Sequence, residues 1–136
     1  MEITDNNIIV VTDSIEWRDV LHAMPLGSQV AIIEGDPKVA GAFTLRHKIP
    51  ANWKVMPHLH ISDEHITVIE GCCYLGIGEK YDEEKAIGMP TGTFTVVKSG
   101  TAHYFFSKKG CIIQVHGNGP QKITYINSDH DPRTKK

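Results

Sequence analysis

The sequence predicts an all-β protein closed as a sandwich or barrel, and three observations predict it. Short segments rich in β-branched and aromatic residues recur along the 136 residues, and Gly, Pro, Asn or Asp closes each of them. No stretch sustains helical periodicity long enough for a dominant helix. At this length folding removes about 68% of the extended chain's surface, so one core forms without staples. Residues 1–127 are therefore expected to form a single domain and 128–136 a frayed polar tail. About ten strands must share that core, and closing the sheet leaves no long exposed edges.

Taken in order, strands are expected at Ile8 to Thr12, Gln29 to Glu34, Ala42 to Ile49, Lys54 to His60 and His65 to Glu70. Five more are expected at Cys72 to Ile77, Gly92 to Val97, His103 to Ser107, Cys111 to His116 and Lys122 to Ile126. Ser14 is an available N-cap for a short helix over Ser14 to Val20, of one or two turns at most. Lys80 to Lys85 reads as a solvated loop or helical turn, and Gly117-Asn118-Gly119-Pro120 as the turn before the last strand.

Composition narrows the functions. Fourteen basic against sixteen acidic side chains give a net charge of −2, with no broad basic field to attract phosphates, so nucleic acid is not an expected partner. The longest aliphatic run, Ile8-Ile9-Val10-Val11, falls far short of the ~20 residues that span a bilayer. The start Met1-Glu2-Ile3-Thr4-Asp5 lacks the basic and apolar regions of a secretory signal, so a cytoplasmic protein without a membrane partner is expected. Cys72, Cys73 and Cys111 are odd in number and lack metal-ligand spacing, so they read as buried thiols. Cys72 and Cys73 should face opposite sides of a strand.

The eight histidines carry the functional signal. On a strand His58 and His60 project from one face, which lets two imidazoles reach one ion. Glu64 keeps that parity if residues 61–63 stay extended or bulge evenly, and it would add an oxygen ligand. His103 would come from a neighbouring strand. His65 faces away from Glu64 on a regular strand and reads as a polar or supporting residue. His116 and Gln114 share a strand face and are candidates to line a cavity as acid, base or hydrogen-bond donor. Tyr74 and Phe105 are candidates for an apolar pocket wall. His22, His47 and His130 carry no motif and are read as structural or exposed.

These residues resemble the cupin superfamily. Its first motif, G(x)5HxH(x)3-4E(x)6G, is matched by His58-Leu59-His60, three residues, Glu64, six residues and Gly71. Its second, G(x)5PxG(x)2H(x)3N, is matched by Gly92, Gly100 and His103 at the same spacing. Asn52 stands where the first motif has Gly, Lys98 where the second has Pro, and Ser107 where it ends in Asn. None of these three is a ligand in the family, so only the turn geometry is put in question. The phrasing DEHITVIEG, GIGEKYD and IQVHGNGP is similar to small bacterial cupins, including the cupin part of ChrR-type anti-sigma factors.

The resemblance implies a double-stranded β-helix or jelly-roll barrel, commonly a homodimer. It also implies one divalent ion (Fe, Zn, Mn or Ni) held by His58, His60, Glu64 and His103. Such an ion would keep open positions for a small oxygenated molecule. Iron would suit a dioxygenase; Mn or Ni a decarboxylase or lyase; Zn isomerisation, hydrolysis or binding. The alternative is a non-enzymatic sensor in which the ion anchors a metabolite.

Overall fold

Residues 2–20 and 23–134 are described by the structure, a computed structural model. The first strands are β1 (Glu2–Thr4), β2 (Asn7–Ile9), β3 (Arg18–Asp19), β4 (Gln29–Glu34), β5 (Gly41–Ile49) and β6 (Trp53–His60). They are followed by β7 (Glu64–Ile77), β8 (Ile87–Pro90), β9 (Phe94–Val97), β10 (His103–Ser107), β11 (Cys111–Gly119) and β12 (Ile123–Tyr125). Among the described residues β1 and β2 pair only with each other, whereas the remaining ten strands run as one curled antiparallel sheet in the order β12-β6-β10-β7-β11-β5-β4-β3, with β8 and β9 both on β7. The fold class is the expected one, a β jelly roll. Among the described residues no helix is long and apolar enough to cross a membrane.

β7 joins the two halves. Its first part pairs with β11 and β9, its second with β10 and β8. The sequence predicts two strands here, broken at Gly71; instead one 14-residue strand runs through. Gly71 supplies the bend with φ of +81°, and a Cβ there would strike the Gly110 carbonyl. A register slip beside it, between Ile112 and Ile113 of β11, leaves one extra residue in β7. Inward parity therefore changes from Ile66 and Val68 to Cys73 and Leu75, all buried.

β6 contains the second irregularity. His103 pairs with His58 but Phe105 pairs with Val55, so three steps along β6 oppose two along β10. Trp53 and Val55 are buried on odd positions, His58 and His60 on even ones, and Pro57 lies between them. Proline has no N–H to give the ladder and fits at such a bulge. Phe43, Ile49, Val55, Ile66, Phe105, Ile113 and Val115 fill the interior from both halves. Asn52, in the place of the motif glycine, takes the left-handed conformation with φ of +60°, one that Asn tolerates better than most side chains.

Several elements differ from expectation. No helix forms over Ser14 to Val20; a single 3-10 turn covers Thr12–Ser14 and β3 follows, with Lys48 Nζ 4.4 Å over the Trp17 ring. The apolar side chains there serve an extended strap, which sequence spacing over so few residues does not separate from a helical turn. β11 runs on through Gly117-Asn118-Gly119 against β5, so the turn starts only at Pro120. The tail is docked as far as it is described: Arg133 donates to Ile123 O and to both oxygens of Asp131. Cys73 and Cys111 are buried and Cys72 is half-buried. His22 lies outside the described residues.

Gly76 on β7 marks a close approach, since a Cβ there would fall inside the ring of Tyr104, a fully buried side chain whose hydroxyl donates to Asp82 O. Gly76→Ala should therefore lose about 1–3 kcal/mol of unfolding free energy in urea titrations. Trimming the ring in the Gly76→Ala/Tyr104→Leu double variant should cost less than the two single losses added together.

Candidate metal centre

Three elements place four side chains at one point in the barrel. The β6 bulge aims His58 and His60 inward; His103 opens β10 directly opposite His58; Glu64 opens β7. The connection from His60 to Glu64 is tied to the loop before β10. Gly100 N donates to His60 O, Ser99 Oγ to Ile61 O, and Ser99 N to Asp63 Oδ1. Glu64 therefore keeps the parity that places it with the histidines.

One ligand nitrogen from each of His58, His60 and His103 lies within 4.8 Å of the others. The ring centroids are 4.3 Å apart for His58 and His103, 5.1 Å for His58 and His60, and 5.4 Å for His60 and His103. Glu64 Oε1 is 3.2 Å from His60 Nε2 and 3.7 Å from His103 Nε2. His58 Nδ1 donates to Met56 O at 2.7 Å and His103 Nδ1 to Thr101 O at 2.9 Å. Those bonds fix the tautomer and leave Nε2 of both rings with its lone pair, the orientation usual in metal-binding histidines.

Burial sets the charge of the cluster. Desolvation, helped by the neighbouring His103, takes His58 down to about 2; desolvation and His103 likewise take His60 to about 3. His103 is lowered by the same burial, while burial lifts Glu64 to about 7. The His60–Glu64 contact is thus not a pairing of full charges. Three uncharged imidazoles and a buried carboxyl without a cation are a donor set that fits a divalent first-row metal.

The cluster opens into a cavity of about 730 Å³. Phe43, Trp53, Val55, Ile66, Phe105 and Ile113 form much of its wall, and Phe105 is the one expected pocket residue that lies there. His116, Gln114 and Tyr74 do not. Ile113 and Val115 take the inward positions of β11, so Gln114 and His116 project outside, where Gln114 accepts from Arg46 and His116 meets Thr44. Tyr74 stacks on Phe106 with centroids 4.8 Å apart, away from the cavity.

One lining residue was not singled out by its motif. His47 follows Phe43 and Leu45 at period two, and this alternation was the available signal for an inward side chain. Its ring meets Trp53 edge-on with centroids 5.6 Å apart, and its Nε2 is buried with no hydrogen-bond partner among the described residues. Two carbonyls of the N-terminal strap cross this end of the barrel, Pro25 O accepting from Trp53 Nε1 and Ala23 O from Tyr125 Oη.

No protein-family model and no curated protein matches the sequence. Solved structures do resemble the chain. A polyketide cyclase, RemF from Streptomyces resistomycificus, superposes with a TM-score of 0.78 at 16% identity over 93% of this chain and 90% of its own. An RmlC-like cupin from Shewanella frigidimarina gives 0.64 at 12% identity over 82% of this chain and 90% of its own. A salicylate 1,2-dioxygenase variant from Pseudoaminobacter salicylatoxidans in complex with gentisate gives 0.59 at 12% identity, covering 74% of this chain and 30% of that longer one. Enzymes thus stand among the structural neighbours.

Burial lowers His47 to about 4. The unfolded chain takes up this proton near pH 6.5 and the folded chain only near pH 4, so the folded state is penalised as pH falls through that window and not above it. With a chelator present, unfolding free energy should fall between pH 6.5 and 4, with a contribution from His47 on the order of 3 kcal/mol. His47→Leu should flatten that slope in denaturant titrations across the same window; a slope equal to wild type would show that His47 is charged in the fold. By its strand order, its inward donor set and the solved structures it superposes on, the chain has the cupin fold.

Proposed function

We propose that the chain is a metal-dependent enzyme acting on a bulky, largely apolar oxygenated compound. His58, His60, Glu64 and His103 would hold one divalent ion. The observation that supports this reading is the meeting of that donor set with a cavity of about 730 Å³ walled by aromatic and aliphatic side chains. An apolar wall gives affinity to a carbon framework, and a few polar groups fix its orientation. The neighbours named for a polyketide cyclase and for a dioxygenase bound to gentisate favour an oxygenated aromatic or polyketide-like substrate.

The residues have separable roles. The Met56 and Thr101 carbonyls hold His58 and His103 by Nδ1 and so present Nε2 to the centre. Glu64 supplies the oxygen donor and the charge, and its raised affinity for protons lets it hold a proton near neutrality when no cation is present. Phe105, Val55 and Ile66 exclude water around the reacting oxygens. The strap carbonyls of Ala23 and Pro25 close the Trp53 end, while Asp36, Lys38 and Gln121 line the cavity from other loops. When bound, the ion would act as a Lewis acid on a substrate oxygen, and iron would add redox chemistry.

Elemental analysis of the chain as isolated should give close to one divalent ion per chain. His60→Ala should abolish that content, and Glu64→Gln should weaken binding at least roughly tenfold. Iron-, zinc- and manganese-loaded protein should convert members of a panel of aromatic hydroxy acids and diketones, including gentisate, followed by O₂ uptake and product analysis. Unchanged metal content in His60→Ala rejects the site; metal binding without turnover of any member points to a sensor instead.

A further inference from the structure

A second pair of histidines stands on the outer face of the barrel, outside the cavity. β7 and β11 are antiparallel with His65 directly opposite His116. Glu64 faces inward, so His65 projects outward, and His116 does the same beside the inward Val115. The two ring centroids are 6.4 Å apart and the rings stand at 70°. An imidazole centroid lies about 3 Å from an ion bound by its nitrogen, so two rings sharing one ion at angles of about 90–110° have centroids roughly 4.5–5 Å apart. A shift of roughly 1.5 Å, by rotation of the His65 side chain, brings this pair to that separation.

The neighbours of His116 prepare it for such a role. Thr44 Oγ1 donates to Glu34 Oε1 at 2.9 Å. A hydroxyl has one hydrogen and a carboxylate only accepts, so the same Thr44 oxygen must accept from His116 Nδ1, 2.8 Å away. The proton is therefore on Nδ1 and the lone pair on Nε2. This is the outer-sphere arrangement of metal-binding histidines, an N–H held by an acceptor that is itself backed by a carboxylate. His65 is braced by Phe94, with centroids 6.0 Å apart. Glu34, bonded to Thr44, thus places a carboxylate behind His116, which favours a cation there.

We infer that His65 and His116 form a second, solvent-facing site for a divalent transition ion, with two imidazole ligands and water completing the coordination. Among available ions the general affinity order places Cu(II) first, with Ni(II) and Zn(II) next. Alternation along β7 puts Glu64 and His65 on opposite faces, so this site does not share ligands with the interior cluster and does not depend on the interior cluster being a metal centre.

The probe is NiCl₂, which leaves the thiols unoxidised, in equilibrium dialysis of the metal-free full chain followed by elemental analysis. Wild type is expected to hold one more ion than either His65→Gln or His116→Gln. The His58→Ala/His60→Ala variant is expected to keep this outer ion while losing the interior one. Thr44→Val, which removes the brace but no ligand, should weaken the outer site roughly tenfold. Far-UV circular dichroism and thermal midpoints of the three outer variants report folding, and each side chain is replaced by one of similar size. Stoichiometry unchanged in both His65→Gln and His116→Gln, or lost in only one of them, overturns the shared site.

Discussion

The donor cluster in this barrel depends on one extra residue in β6. Strict alternation continued from Trp53 and Val55 would bring Pro57 and Leu59 to the interior and turn His58 and His60 to solvent. The bulge opposite His103 and Phe105 reverses that parity. At the same bend the Met56 carbonyl accepts from His58 Nδ1. A single irregularity thus both aims the imidazole and selects its tautomer. Pro57 fits the bulge because it lacks the donor a regular ladder would need.

The energetic character of the centre follows from that placement. Putting three imidazoles and a carboxyl among Phe105, Val55 and Ile66 strips their hydration, and the cluster responds by giving up charge: the imidazoles resist protons and Glu64 retains one more readily. Uncharged imidazole is the form that binds a metal, so desolvation prepares the nitrogens. Glu64 is different. Its proton would have to leave for the oxygen to serve as an anionic ligand, and a cation in a poorly hydrated site would make that loss favourable.

How much of this was legible in the sequence varies by residue. Period-two alternation shows that His58 and His60 share a face, and the spacing to Glu64 and His103 carries the likeness to cupins. Neither shows which face points inward, because parity is reset by bulges that depend on the partner strand. Gln114 and His116 illustrate the consequence. They share a face, as expected, but Ile113 and Val115 win the interior on hydrophobicity and leave both polar residues outside. The continuity of β7 was hidden for a related reason: Gly71 reads as a chain break, whereas its positive φ lets a paired strand bend from one half of the barrel to the other. The docked tail was hidden because the Arg133 partners, Asp131 and the Ile123 carbonyl, are a tertiary arrangement in a polar stretch.

The same alternation that obscured the parity gives β7 two independent surfaces. Glu64 belongs to the buried interior, where polar groups lose charge on burial; His65, one residue on, belongs to the half-exposed outer face. Chemistry that needs substrate enclosed by apolar walls has room only on the first, since the cavity is lined by Glu64, Ile66 and their partners on β6 and β10. The outer face carries His65 with Phe94 beside it and lies outside that cavity. Strand geometry thus gives adjacent side chains opposite surroundings, and it does so without any change in the backbone that carries them.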